Sequence, residues 1–308
     1  MKLSTIRKSA AVICAAILGV SMLCPVGTAF AQETKAAASA KSKTVENPEE
    51  LTHNTRFDSY TKLDCIDVSA HQGRIDWQTV AGEGVDAAII RVGYRTYDKG
   101  EIKADTNFVK NMQGAHDAGL QVGVYFYTQA TNPSEAAEEA RFVLSSIQSV
   151  SDAVLSLPVY IDIEHVDNGK GRQDAKKLSP AELTAICNTF CDVIAEGGYQ
   201  TGIYSNRSFM EDCLQMEELE YHSVWLAMCG AQTSYKGKYD VWQYSHNSRI
   251  NGIKNTVDRS VIYTLTPAEV IPTEAIVTEE IPGELPNPDF SVIQFATETI
   301  EAPIVACN

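Results

Sequence analysis

The sequence predicts an α/β fold, a barrel of mainly parallel strands with an extended polar segment at either end. Short apolar runs alternate with amphipathic segments from residue 63 to about residue 263, which is typical of strand–helix repetition. Most of these runs are apolar throughout, as strands buried on both faces are. The number of runs and the length of the region favour a closed TIM-like barrel over an open sheet.

The predicted elements follow in chain order. Strands are expected at 65–69, 87–92, 121–127, 158–163, 201–204, 224–227 and 240–244. Helices are expected at 106–118, 134–150 and 179–196, and Gly119 and Gly197 are the stop signals for the first and third. Ser134 and Ser179 stand at N-cap positions, and Glu182 follows Ser179 at the spacing of a capping box.

Both ends of the chain differ in composition from the predicted barrel domain, which we place at 63–265. Residues 1–31 combine basic residues, an apolar run and a small-residue exit, which predicts a cleaved secretory signal peptide; a retained anchor is the alternative. Residues 32–62 predict a polar linker, and 266–308 an acidic tail that contains prolines. We therefore expect an exported protein that is not inserted in the membrane once the signal is removed.

Composition also bears on partners and on cysteine chemistry. The formal net charge of -15 disfavours nucleic acid as a ligand, because phosphate binding depends on Lys and Arg. Six of the eight cysteines remain once Cys14 and Cys24 leave with the signal, and their spacing selects no pairing. We expect mostly buried thiols, or one or two disulfides, in a protein that acts as a monomer.

The sharpest local feature is a pair of acids, Asp162 and Glu164, at the end of an apolar strand. Side chains at positions i and i+2 of a strand share a face, about 6–7 Å apart, so both should face the same space. Strand ends at the C-terminal face of such a barrel carry the active site. Crowding of like charges keeps one carboxyl protonated, which a general acid requires. Asp67 and Asp258 occupy similar strand-end positions, which makes four candidate catalytic carboxylates.

Aromatic side chains near the same strand ends favour a ligand with apolar ring faces, such as a sugar. The residues concerned are Tyr125, Tyr127, Tyr204, Trp242 and Tyr244. Their coincidence with strand ends indicates a cleft. No serine-hydrolase elbow, zinc-protease motif or phosphate loop is present in the sequence, and among scattered histidines only His71 and His165 adjoin candidate site residues.

A series of short motifs occurs in a specific order between Asp64 and Tyr263. The motifs are Asp67-Val68-Ser69, Gly73-x-Ile75-Asp76-Trp77, Ala88-Ile89-Ile90-Arg91-Val92-Gly93, Gly123-Val124-Tyr125-Phe126-Tyr127, Asp162-Ile163-Glu164, Gly202-Ile203-Tyr204-Ser205-Asn206, Trp242-Gln243-Tyr244-Ser245 and Val257-Asp258. In this order they resemble glycoside hydrolase family 25, the muramidases of the Chalaropsis type.

The resemblance implies a flattened barrel of eight strands with fewer than eight helices. It also implies a lysozyme activity, cleavage of the β-1,4 bond between N-acetylmuramic acid and N-acetylglucosamine. The partner would be bacterial peptidoglycan, met outside the cell or at the wall, and no cofactor or metal is implied. Glu164 is similar to the family's general acid, Asp162 to its partner carboxylate, and Asp67 and Asp258 to further acids of the cleft. The expected substrate-binding side chains are Arg91, Tyr125, Tyr127, Tyr204, Trp242 and Tyr244.

Several alternatives stay open at this point. In a retaining reaction, either the substrate's 2-acetamido group or Asp162 itself would attack the sugar carbon while Glu164 protonates the leaving oxygen. A chitinase-like N-acetylglucosaminidase and a non-catalytic wall-binding protein are the rival functions. Met228 and Cys229 stand where the family commonly has an aromatic residue, so one flank of the groove should differ.

Overall fold

A computed structural model describes residues 50–150, 154–166 and 169–265. The predicted signal peptide, most of the predicted linker and the predicted tail lie outside these residues. The strands within them are β1 Tyr60–Val68, β2 Ala87–Arg95, β3 Ile102–Ala104, β4 Gln121–Tyr127, β5 Val159–Asp162, β6 Thr201–Asn206, β7 Ser223–Ala227, β8 Val241–Ser248 and β9 Val257–Leu265. The helices are α1 Trp77–Gly82, α2 Phe108–Asp117, α3 Pro133–Gln148, α4 Arg172–Lys176, α5 Pro180–Glu196 and α6 Arg207–Cys213.

Eight of these strands close into a barrel, which confirms the predicted fold class. They follow the order β1-β9-β8-β7-β6-β5-β4-β2, and a parallel pairing of β1 with β2 closes the ring. Strand β9 is antiparallel to both of its neighbours, β1 and β8. Strand β3 lies outside the ring and pairs with the end of β2 that β1 does not reach. Six helices in the described chain agree with the expected number below eight.

The helix predictions succeed where the apolar periodicity is long. Helix α5 begins after Ser179, which forms the expected capping box with Glu182. Helix α3 begins earlier than predicted, because Asn132 rather than Ser134 is the N-cap and accepts a hydrogen bond from the backbone of Glu135 at 3.0 Å. Helices α1, α4 and α6 were not predicted, since five to seven residues are too few to show a period. No helix in the described ranges is long and apolar enough to cross a membrane.

The interior of the barrel is divided along its axis. Its lower part, toward the start of most strands, is filled by an apolar plug of Cys65, Ala87, Ile89, Tyr160, Trp225, Val241 and Ile262. A second apolar layer lies outside the sheet, where the helices pack on the alternate residues of the same strands. Because successive side chains of a strand point to opposite faces, the residues two positions beyond the plug also face the interior. These positions carry the polar residues described below.

The last part of the predicted linker is packed against the barrel, so the domain begins before the predicted boundary at residue 63. Residues 51–60 cover the outer face of β7 to β9. Phe57 is buried and stacks on Tyr263 with ring centroids 3.7 Å apart. His53 Nδ1 and the Tyr263 hydroxyl share a hydrogen bond of 2.9 Å. The polar composition of this segment conceals the buried Phe57 that anchors it.

The cysteines of the described chain are free thiols. Cys65, Cys187 and Cys191 are buried, whereas Cys213 is half-buried and Cys229 is exposed. The expectation of mostly buried thiols is therefore confirmed for these five, and Cys307 lies outside the described residues.

Candidate active site

Four carboxylates converge on one pocket above the apolar plug. Asp67 comes from β1, Asp162 is the last residue of β5, Glu164 lies just beyond it and Asp258 comes from β9. The pocket, which we call the acidic pocket, has a volume of about 240 Å³. Its walls are Asp67, Arg91, Tyr125, Tyr127, Asp162, Glu164, Tyr204, Trp225 and Asp258. The structure thus brings together all four acids that the sequence predicts.

The pleat of the strands explains why these acids share one space. Asp67 stands two residues after Cys65, and Asp162 two residues after Tyr160; both earlier residues belong to the apolar plug. Asp258 lies directly opposite Asp67 in the antiparallel pairing of β9 with β1. In the described residues, no group of three or more His, Cys, Asp or Glu side chains is arranged to hold a metal ion.

Burial and mutual repulsion hold protons on this group of acids. Asp67 and Asp162 are only 8% and 6% exposed, and burial is the main reason why the pKa of each carboxyl is raised well above its ordinary value. The nearby charges of Asp258 and Glu164 raise the pKa of Asp67 further. The pKa of Asp162 is raised further by the charges of Glu164, Asp67 and Asp258. Burial, then repulsion from Glu164, raises the pKa of Asp258 to about 7. The coupled group therefore retains protons at neutral pH.

The acids receive little compensating positive charge. Arg91 lines the acidic pocket, but its guanidinium is held by Asp105, with Nε and Nη2 at 2.9 and 2.8 Å from Oδ2. Arg91 lowers the pKa of Asp162 less than burial, Glu164 and Asp67 raise it. Oδ1 of Asp162 is buried and has no hydrogen-bond partner in the described part of the chain. An unpaired buried oxygen costs about 1–3 kcal/mol, so this atom is suited to accept a hydrogen bond from a ligand.

Gln243, which was not among the predicted site residues, joins two of the acids. Its Nε2 donates to Oδ2 of Asp67 at 2.9 Å and to Oδ2 of Asp258 at 3.4 Å. Its Oε1 accepts a hydrogen bond from the Tyr204 hydroxyl at 2.9 Å, which fixes the orientation of the amide. The signal was the position of Gln243, two residues after the plug residue Val241 on β8.

Some of the predicted aromatic residues face the interior of the barrel, and the others face its outer side. Tyr125, Tyr127 and Tyr204 line the acidic pocket as expected, together with Trp225, which the sequence analysis did not select. Trp242 and Tyr244 do not line it, and their predicted place in the cleft is corrected here. They are 0% and 1% exposed and pack on the outer face of the barrel in a cluster that includes Phe57 and Tyr263. Since Gln243 faces inward, its two neighbours on β8 must face outward.

A second cavity continues from the acidic pocket. Arg91 and Tyr127 line both, so the two form one groove. This cavity, which we call the tyrosine groove, has a volume of about 520 Å³ and is lined by His71, Tyr94 and Tyr97 among others. His165 lines neither, because its Nδ1 contacts Asp174 and its ring packs on Phe209 at 4.8 Å. Of the two histidines noted in the sequence, only His71 is in the groove.

Comparisons with known proteins agree with this geometry. Residues 66–253 match the sequence profile of the family described as glycosyl hydrolases family 25. The autolytic lysozyme of Clostridium acetobutylicum is 25% identical over 194 residues, which cover 63% of this chain and 53% of that protein. Lysozyme M1 of Streptomyces globisporus is 29% identical over 202 residues, with 63% and 66% covered.

This chain is also similar to a solved structure. The modular autolysin LytC of Streptococcus pneumoniae, in complex with a synthetic peptidoglycan ligand, is 29% identical with a TM-score of 0.57. The match covers 66% of this chain and 47% of that one, so this chain spans about half to two thirds of the length of these relatives. The matched family region contains the end of β1, the strands β2 to β8 and three of the four acids of the pocket. This chain therefore belongs to glycosyl hydrolases family 25.

Proposed function

We propose that this protein is a peptidoglycan hydrolase, a lysozyme that cleaves the β-1,4 bond between N-acetylmuramic acid and N-acetylglucosamine. The observation that carries the proposal is the emergence of Asp162 and Glu164 from one buried strand into a groove lined by tyrosines. Two relatives, an autolytic lysozyme and a lysozyme, support the same substrate class. Neither a metal nor a cofactor is needed for this chemistry.

Glu164 is the proposed general acid. It lies beyond the end of β5 and is half-buried, whereas Asp162 is almost fully enclosed. Because the coupled carboxyls retain protons at neutral pH, a proton is available to the leaving group there. Glu164 would donate it to the glycosidic oxygen as the bond from that oxygen to the anomeric carbon breaks. In the second step, Glu164 would accept a proton from the attacking water.

Asp162 is the proposed partner carboxylate. Its unpaired Oδ1 would accept a hydrogen bond from the N–H of the substrate's 2-acetamido group. This would orient the acetamido oxygen toward the anomeric carbon. The oxygen would bond to that carbon as the leaving oxygen departs, and the carboxylate would stabilise the positive charge on the five-membered ring that this bond closes. Water then opens that ring, and the configuration at the anomeric carbon is retained overall. Direct attack by Asp162 is the alternative, and it predicts a glycosyl-enzyme that can be trapped.

The remaining residues would bind and position the sugar. Tyr125, Tyr127 and Trp225 supply ring faces on the walls, and Tyr204 and Arg91 supply polar groups. Gln243 holds the cross-strand pair of acids in place. We also propose that the chain acts outside the cell or at its wall after removal of residues 1–31. Mass analysis of the secreted protein should then show an N-terminus at Gln32.

The decisive experiment identifies the sugar at the newly formed reducing end. Purified peptidoglycan is digested, the fragments are reduced with borohydride, and mass spectrometry locates the reduced sugar. We expect reduced N-acetylmuramic acid. Reduced N-acetylglucosamine would instead show the glucosaminidase alternative, and binding without any new reducing end would show a wall-binding protein. Product anomers measured by NMR test retention.

A further inference from the structure

A third cavity lies at the same end of the barrel as the acidic pocket. It is formed between the loop that follows β1 and the first turns of α2, and its volume is about 390 Å³. The residues that line it are Gly73, Arg74, Ile75, Trp77, Asn107, Lys110 and Asn111. Both charged side chains among them are basic, although acids outnumber bases by 40 to 25 in the chain. We call this cavity the basic pocket.

The two basic side chains have no partner in the described residues. Neither Arg74 nor Lys110 forms a hydrogen bond or an ion pair there, and both are exposed. Several other arginines of this domain are held by carboxylates, as Arg91 is by Asp105 and Arg259 by Asp64. The charge of the basic pocket is therefore available to a ligand.

Asn111 adds a hydrogen-bond donor from the wall of the pocket. The residue is 3% exposed, and its Nδ2 is buried with no acceptor within the described chain. A buried donor without an acceptor is unfavourable, which distinguishes this wall from an ordinary surface depression. A bound ligand with an acceptor atom would supply the missing partner.

The start of α2 contributes to the same potential. Asn107 is the N-cap residue of this ten-residue helix but gives it no side-chain hydrogen bond, because its Nδ2 donates to the carbonyl of Gly73 at 3.0 Å. The first turn therefore lacks the capping oxygen that usually satisfies its amides. The N-terminal end of a helix carries partial positive charge and favours an anion.

We propose that the basic pocket binds an oxyanion, a carboxylate or phosphate group, carried by the polymer whose glycan occupies the acidic pocket. Asp105 connects the two regions: it holds Arg91 of the acidic pocket and accepts hydrogen bonds from the backbones of Ala70 and Asn107, both at 2.9 Å. The identity of the polymer rests on the proposed function, whereas binding of an oxyanion does not. In a chain of net charge -15, such a pocket would attract an anionic wall locally.

A titration of the full-length protein with inorganic phosphate, and separately with acetate, tests the pocket itself. Backbone and side-chain resonances of Arg74 and Asn111 are followed by ¹H–¹⁵N NMR in the wild type. The variant Arg74→Gln/Lys110→Gln removes both charges, and Arg141→Gln/Lys236→Gln is the matched control. These control residues are exposed and do not line the basic pocket.

We expect saturable shifts in the wild type and in the control, and binding weakened about tenfold in the pocket variant, since two charge-assisted hydrogen bonds are lost. Shifts that do not saturate, or an equal loss in both double variants, would overturn the proposal. Neither result depends on hydrolysis, so a failure here is distinct from a failure of the proposed activity.

The source of the oxyanion is identified with insoluble walls. Binding of the wild type and both double variants is measured on walls stripped of phosphate polymers and on walls stripped of stem peptides. If the pocket variant and the control bind equally to walls without phosphate polymers, the ligand is a phosphate group. If they bind equally to walls without stem peptides, the ligand is a carboxylate. If the pocket variant and the control bind equally to intact walls, the wall polymer is not the ligand.

Discussion

The molecule buries carboxylates in two regions, and it pairs them with hydrogen-bond donors in one region but not fully in the other. Glu139 of α3, on the outer side of the barrel, is fully buried, and Arg95 and Thr128 each donate a hydrogen bond to it at 2.6 Å. Asp162, inside the barrel, is nearly as enclosed, yet one oxygen is unpaired and its nearest charges include acids. Burial raises the pKa of Glu139 to about 7 although both partners oppose this, whereas for Asp162 the neighbouring acids add to the effect of burial.

The difference is between an acid that stabilises the fold, Glu139, and acids that the fold holds in unfavourable surroundings, those of the acidic pocket. Arg95 also donates to the carbonyl oxygens of Gly100 and Glu135, so the Glu139 network joins β2, the turn before β3 and α3. In the acidic pocket the pairing is weaker: Gln243 donates to Asp67 and Asp258, and Oδ1 of Asp162 has no partner in the described residues. The mutual repulsion of these acids is unfavourable for folding, and in the proposed reaction it would supply the protonated carboxyl that the leaving group needs.

The largest expected effect tests the pocket side of this comparison. Glu164→Gln should lower turnover on purified peptidoglycan by about 10²–10⁴-fold, because the general acid is lost. Thermal unfolding should change little, since Glu164 is only half-buried. Glu138→Gln is the matched control, an exposed acid of the paired region that should keep nearly full activity. A Glu164→Gln protein that still digests walls at the wild-type rate would remove this residue from the mechanism.

The next effect tests the paired side. Arg95→Met should lower the free energy of unfolding by about 3–5 kcal/mol, because it leaves Glu139 buried without its cation. The double variant Arg95→Met/Glu139→Leu should recover most of this loss, since a buried pair can be replaced by apolar side chains of similar volume. Urea unfolding at constant pH measures both. If the single variant were as stable as the wild type, the network would have no structural role.

Asp258→Asn should change the free energy of unfolding by a smaller amount than Arg95→Met, and it should raise it. The pKa of Asp258 rises from an ordinary 3.8 to about 7 on folding, so its contribution to stability is complete below about pH 4 and is lost as the pH rises through about 7. The variant should therefore be more stable than the wild type at pH 8, by about 1–2 kcal/mol after allowance for partial exposure. At pH 4 the two proteins should unfold alike. A gain that is independent of pH would contradict the assigned cause.

The smallest effect is on the pH dependence of the reaction. The charge of Asp258 raises the pKa of both Asp67 and Asp162, so its removal should let the coupled acids lose their protons at lower pH. In Asp258→Asn, the alkaline limb of the kcat/KM profile should move to lower pH by about one unit. Asp240→Asn, outside the acidic pocket, is the control. An unshifted limb would show that Asp258 is not coupled to the reacting group.

The same comparison shows what the sequence could reveal. The spacing of Asp162 and Glu164 predicted that both side chains reach one space, because positions i and i+2 of a strand share a face, and both line the acidic pocket. The error at Trp242 had a different origin: on β8 the polar Gln243 faces the pocket and the aromatic residues face outward, contrary to the usual expectation for a sugar cleft. Which alternation faces inward depends on the pairing with neighbouring strands, and no single strand encodes it.

Segment boundaries depended on contacts that are remote in sequence. Phe57 has no apolar neighbours to mark it as part of the domain, and its burial comes from stacking on Tyr263. Strand β9 has a polar run, Asp258 to Ser260, near its start and is partly exposed there. It therefore lacks the continuous apolar pattern of the parallel strands. Helices α4 and α6 were hidden by their shortness.

The antiparallel seam between β1 and β9 has a consequence for biosynthesis. The ion pair of Asp64 with Arg259 spans 195 positions, and Asp67 and Asp258 face each other across the same seam. Contacts of such high contact order form late, because the entropy of closing a long loop must first be overcome. A nascent chain that still lacks β9 has neither Asp258 nor an intact pocket. If the proposed activity is correct, truncated translation products should be harmless to the wall of the cell that makes them.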